Sequence, residues 1–120
     1  MFYLSRPRSA GSQGRRVPAL ESRVLLDLNS PAFLRTLFAL ESAELKQVAV
    51  TLRRLMGMDW KAVYSHTGFK WEALDHIRTP NGAKAHSIRL SRKIRGLAYR
   101  DGDFLRFISL HPDHDSAYKG

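Results

Sequence analysis

Residues 86–110 read HSIRLSRKIRGLAYRDGDFLRFISL, and this stretch decides the fold. Apolar and polar residues alternate through 87–91, 94–100 and 104–110, the period-2 pattern of half-buried strands. Asp101-Gly102, between the last two runs, is a two-residue type I′ hairpin signal. With 100 and 103 as its closing pair, Tyr99 falls opposite Phe104, Leu97 opposite Arg106 and Arg95 opposite Ile108. If the preceding hairpin turns over Ser91, Arg92 and Lys93, Arg89 falls opposite Arg95. A two-residue turn there would instead put Arg95 opposite Leu90.

On the first choice, one face carries Ile88, Leu90, Ile94, Ala98, Leu105 and Phe107. The other carries Arg89, Arg95 and Arg106 with Tyr99 and Phe104, and is expected to be open. Like charges directly opposite in a sheet cost a few tenths to about 1 kcal/mol. Arg89 beside Arg95 therefore makes most sense with an anion bound. A solvated strand face whose arginines guard an edge is the plainer alternative.

The apolar face needs a partner, and the preceding sequence supplies one. Residues 23–28 (RVLLDL) read as a short strand. Ser30-Pro31 then gives an N-cap with proline in the first helical position. The helix is expected to run from Pro31 to about Leu40, with a stripe of Phe33, Leu34, Leu37 and Phe38. Ser42 is placed to cap a second helix ending near Met56, and Gly57 suits the position after it. Leu45, Val48, Ala49, Leu52, Leu55 and Met56 recur there at helical spacing. Together these make an αα-hairpin. Asp59 caps one more turn over 60–64, and 70–77 is a further strand closed by Pro80-Asn81-Gly82. The expected architecture is α+β, an αα-hairpin on one face of a twisted, mainly antiparallel sheet of about four strands.

The chain has 120 residues and is 43% hydrophobic, the size of one domain with a modest core. Residues 1–22, rich in Ser, Gly, Pro and Arg, read as a basic, disordered tail, and 23–120 as the folded domain. The formal net charge is +9. Four arginines against one glutamate give the tail +3, so the folded part keeps +6. Such a field attracts polyanions. The absence of cysteine excludes disulfides and thiolate metal sites and suits a reducing compartment, with the cytoplasm as the expected location. No apolar run reaches the roughly 20 residues that span a bilayer, and residues 1–16 lack the apolar core of a secretory signal.

Residues 111–118, HPDHDSAY, are the densest cluster of reactive side chains. Three readings are open. His111, Asp113, His114 and Asp115 could ligate a metal, although no H-E-x-x-H or comparable spacing is present. The histidines and tyrosine could carry metal-free acid–base chemistry. The cluster could also be a hydrated loop.

The segment IRLSRKIRGLAYRDGDFLRFISLHPDHDSAY, residues 88–118, resembles the C-terminal half of RelE/ParE-superfamily toxins of bacterial toxin–antitoxin modules. Its most specific parts are I-R-L, then I-R-G-L-A-Y-R-D-G-D, then H-P-D-H-D-S-A-Y, and the match extends over about 23–118. The RelE branch implies an mRNA interferase, a metal-independent endoribonuclease that works at the ribosome and so inhibits translation. It implies attack by a 2′-hydroxyl on the adjacent phosphate, leaving a 2′,3′-cyclic phosphate. Carried over residue by residue, the resemblance assigns catalysis to Arg89, Arg95, His114 and Tyr118. Contacts to RNA phosphates are expected from Arg92, Lys93, Arg106 and His111. No metal or cofactor is implied. The implied partners are an acidic antitoxin, mRNA and the ribosome, with no membrane. His86 stands where relatives carry tyrosine, and no lysine pair precedes Arg89. The alternatives are the ParE branch, which poisons DNA gyrase, and a basic RNA-binding module without chemistry.

Overall fold

The computed structural model describes residues 23–112. The basic tail of residues 1–22 and the segment 113–120, with His114 and Tyr118, lie outside the described residues. The elements follow in the order β1 (Leu25–Asp27), α1 (Pro31–Leu37), α2 (Ser42–Met56), α3 (Trp60–Ser65), a 3-10 turn (Thr67–Phe69), β2 (Glu72–Arg78), β3 (Lys84–Arg89), β4 (Arg95–Asp101) and β5 (Phe104–His111). The class is α+β as expected, but the sheet has five strands, not about four, in the order β1-β5-β4-β3-β2. The added strand is β1, which pairs parallel to β5 through Leu25–Phe104 and Asp27–Arg106. The other pairings are antiparallel.

Local chemistry explains the helices. The Ser30 hydroxyl accepts from the Phe33 amide at 3.2 Å, and Pro31 starts α1, so the proline removes an amide that had no helical partner anyway. The same hydroxyl donates to the Ile108 carbonyl at 2.7 Å, tying the start of α1 to β5. Helix α1 stops at Leu37 rather than Leu40, closed by tight bonds from the Ala39 and Leu40 amides to the Thr36 and Leu37 carbonyls. Glu41, not Ser42, is the N-cap of α2, and it makes no side-chain capping bond. Asp59 caps α3 through the Ala62 amide at 2.8 Å.

The first sheet face is buried under these helices. Phe33, Leu37, Val48, Leu52, Leu55, Trp60 and Val63 form one core with Ile88, Leu90, Ile94, Ala98, Leu105, Phe107 and Leu110. The expected strand face is therefore complete, whereas the expected helical stripes are too broad. Phe38 is 70% and Met56 59% exposed, and Ala49 also points to solvent. Gly96 sits in this core under Phe107. A β-carbon there would lie 2.8 Å from the Phe107 ring, so only glycine lets strand and ring approach this closely.

Two registers decide the second face. The β3–β4 hairpin turns over residues 91–93, and Arg89 faces Arg95 as expected. The β4–β5 hairpin differs. Its closing pair is Asp101–Phe104, so Gly102 and Asp103 form the turn. Positive φ occurs at Gly102 and not at Asp103, which matches a type II′ turn rather than I′. Keeping Asp101 in the strand lets its carboxylate accept from Arg106 Nε at 2.9 Å. A bulge follows, because Ala98 pairs with Phe107 while Leu97 pairs with Ser109. The two displacements place Arg95 opposite His111 instead of Ile108.

The second face is not open. Leu74, Ala85, Ser87, Arg95, Leu97 and Tyr99 are all buried. The sheet curls, so that Asp27, Asn29 and Pro31 at one edge and Ile77, Arg78 and Pro80 at the other line one cavity of about 360 Å³ beside Tyr99 and Arg106.

Candidate nucleic-acid interface

Residues directly opposite in a ladder point to the same side of the sheet. Arg89 pairs with Arg95, and Arg95 pairs with His111. Arg89, Arg95 and His111 thus occupy a row of positions across β3, β4 and β5, with the Arg89 Nε turned to the Ser91 carbonyl at 3.2 Å. Arg95 is 8% exposed, and its Nη1 is buried with no hydrogen-bond partner among the described residues. The Ser87 hydroxyl, on the same face of β3, is buried and likewise without a partner among the described residues. A buried charged donor without an acceptor costs at least 1–3 kcal/mol in round terms, about the scale of a lost hydrogen bond. Neighbouring cations raise that cost. Two unmet donors thus share one sheet face with the position of a second cation, Arg89.

The imidazole of His111 can serve an anion site on this face in its neutral form. Burial pushes its pKa below the ordinary value of 6.5. Its Nε2 lies 2.9 Å from the Ser109 hydroxyl, which fixes the ring. A neutral imidazole beside bound phosphate can accept a proton.

The other expected contacts fall in different places. Arg106 shares the second face, but Nε donates to Asp101 at 2.9 Å and Nη1 to Asp27 at 2.5 Å. Desolvation opposes its charge, yet the bonds to Asp101 and Asp27 outweigh this and raise its pKa further. The partner carboxylate of Asp101 is held below the usual range, chiefly by the bond from Arg106. Arg106 thus locks β1, β4 and β5 together and is neutralised in doing so. Arg92 and Lys93 are exposed in the β3–β4 turn. The catalytic expectation for His114 and Tyr118 falls outside the described residues.

His86 lies on the helix-covered face, stacked on Trp71 at 4.2 Å between ring centroids. Desolvation lowers its pKa, with the Lys84 carbonyl opposing. Nearby, Arg100 lies 4.5 Å over the Trp60 ring and donates to the Tyr64 hydroxyl and the Gly102 carbonyl. These groups are occupied by one another, so the cluster reads as structure.

Sequence reasoning did not single out Arg54 and His66. They stand with Arg89 and Arg92 around a cleft of about 220 Å³ beside the β3–β4 turn. Arg54 belongs to the polar side of an amphipathic helix, where its spacing carries no signal. Among the described residues, no three of His, Asp and Glu converge as metal ligands, and no helix is long and apolar enough to cross a membrane.

No protein-family model matches this chain, and neither a curated protein nor a solved structure matches it. The row of Arg89, Arg95 and His111 therefore carries the functional argument together with the sequence motifs.

Proposed function

We propose that the protein is a cytoplasmic RelE-like toxin, an endoribonuclease that cleaves mRNA at the ribosome and is neutralised by an acidic antitoxin. The observation that carries this reading is the row of Arg89, Arg95 and His111, with Arg95 Nη1 buried and lacking an acceptor among the described residues. The resemblance of residues 88–118 and the order of helices before an antiparallel meander support it.

In this reading the groups that cover Arg95 give way to the scissile phosphate, and the buried Nη1 then meets a non-bridging oxygen. Arg89 holds a second oxygen. His111, neutral at pH 7, takes the proton of the 2′-hydroxyl as its oxygen bonds to phosphorus. The bond from phosphorus to the 5′-oxygen breaks, and His114 or Tyr118 protonates that leaving oxygen. The products are a 2′,3′-cyclic phosphate and a 5′-hydroxyl end. Fixed guanidiniums facing the charge that develops on phosphorus contribute several kcal/mol, the usual scale for such donors. Their planar forks suit phosphate oxygens.

Controlled expression in growing bacteria tests the reading. Translation should stop, with mRNA fragments that disappear when the antitoxin is co-expressed. Gyrase–DNA complexes with intact mRNA would favour the ParE-like alternative. Neither effect would leave a basic RNA-binding module.

A further inference from the structure

Three arginines, Arg54, Arg89 and Arg92, line the cleft between the end of α2, the 3-10 turn and the β3–β4 turn. Among the described residues no carboxylate lines it, although His66, Ser91 and Thr51 do. Arg89 is aimed by the bond from its Nε to the Ser91 carbonyl at 3.2 Å. Arg54 rests over the Phe69 ring at 5.6 Å.

The second observation is a conflict at His66. Its Nδ1 lies 3.1 Å from the Gly68 amide, and its Nε2 lies 3.1 Å from Arg54 Nη2. Both ring nitrogens thus face N–H donors. A neutral imidazole has one acceptor nitrogen, so one contact is donor against donor in either tautomer. An anion entering the cleft resolves this. With Nδ1 accepting from Gly68, Nε2–H and Arg54 can both donate to the anion.

We propose that this cleft binds a backbone phosphate of single-stranded RNA, one that lies outside the scissile bond. Arg54, Arg92 and His66 hold this phosphate, and Arg89 stands between it and the row formed with Arg95 and His111. The assignment of the ligand as RNA rests on the proposed function, whereas the anion site stands on its own geometry.

The test is binding of a short single-stranded RNA, made uncleavable by 2′-deoxy substitution, to the full chain across a salt series. Each phosphate contact contributes about 0.7 to the slope of log affinity against log salt for single strands. Arg54→Gln should weaken binding about tenfold and reduce the slope by about that amount. Arg53→Gln, which removes the same charge from an exposed neighbour outside the cleft, should change little. Arg54→Lys should recover part of the affinity, and circular dichroism checks that each variant folds. Addition of RNA should shift the His66 ring resonances in the parent protein and not in Arg54→Gln.

Equal affinity and slope for the parent protein and Arg54→Gln would overturn the proposal. So would inorganic phosphate moving the His66 signals while RNA leaves them unchanged. Arg54-dependent RNA binding by a protein that never cleaves RNA would uphold the subsite and remove the catalytic reading instead.

Discussion

Arg89 and Arg95 lie directly opposite each other across β3 and β4, and the buried Arg95 Nη1 has no acceptor among the described residues. Such an arrangement opposes folding and favours an anionic ligand. Replacing Arg95 by Met should therefore leave the unfolding free energy from urea titration unchanged or raise it, by up to about 1–4 kcal/mol, the range seen for buried ion pairs replaced by apolar groups. The same variant should lose RNA affinity. A large loss of stability would mean that Arg95 has a structural partner.

The β3–β4 register was legible because its strands alternate cleanly and three turn residues separate Leu90 from Ile94. The other hairpin was not. Asp-Gly signals a turn, but the pairing of Asp101 with Arg106 spans five positions and moves the turn by one residue. The bulge at Ile108 leaves no mark in the run FLRFISLH, which alternates well enough for an unbroken strand. His111 was visible as a reactive side chain, but its place beside Arg95 was hidden by those two shifts. Phe38 and Met56 satisfied helical spacing and still face solvent, because periodicity marks a face and not how far the neighbouring layer extends. The three-residue strand β1 was readable, but its parallel pairing was not, since that depends on where the sheet ends.

Two core substitutions test the packing. Leu52→Ala should cost about 2–5 kcal/mol, because this buried side chain belongs to the helix layer over the sheet. Gly96→Ala should cost about 1–3 kcal/mol, as the added carbon meets the Phe107 ring. Chemical denaturation measures both, and a neutral Gly96→Ala would show that Phe107 has room to move.

Ser30→Ala should cost about 0.5–2 kcal/mol for the lost cap of α1. The bond to Ile108 is lost with it. Hydrogen exchange at the amides of α1 should rise more than at α2.

Stability should fall as the solution is acidified. Burial lowers the folded-state pKa of His86 and His111 below 6.5, so just below that pH the unfolded chain binds more protons than the folded one. The loss begins near pH 6.5 and levels off once both folded-state values have been passed. The depressed pKa of Asp101 acts in the same direction at lower pH: its contribution is present above about 3.8 and is lost as pH falls through the folded value. Thermal melts from pH 8 to 5 should show the histidine step, and His111→Gln should reduce it. A melting temperature that rises on acidification would contradict this sign.

The most direct measurement is end-group analysis of mRNA after translation in vitro with the purified protein, beside its Arg95→Ala variant. The parent protein should yield fragments with 2′,3′-cyclic phosphate and 5′-hydroxyl ends. Arg95→Ala should slow their formation by roughly 10²–10³-fold, the scale of a lost donor to transition-state charge. Intact mRNA with the parent protein, or cleavage undiminished in Arg95→Ala, would contradict the proposed mechanism.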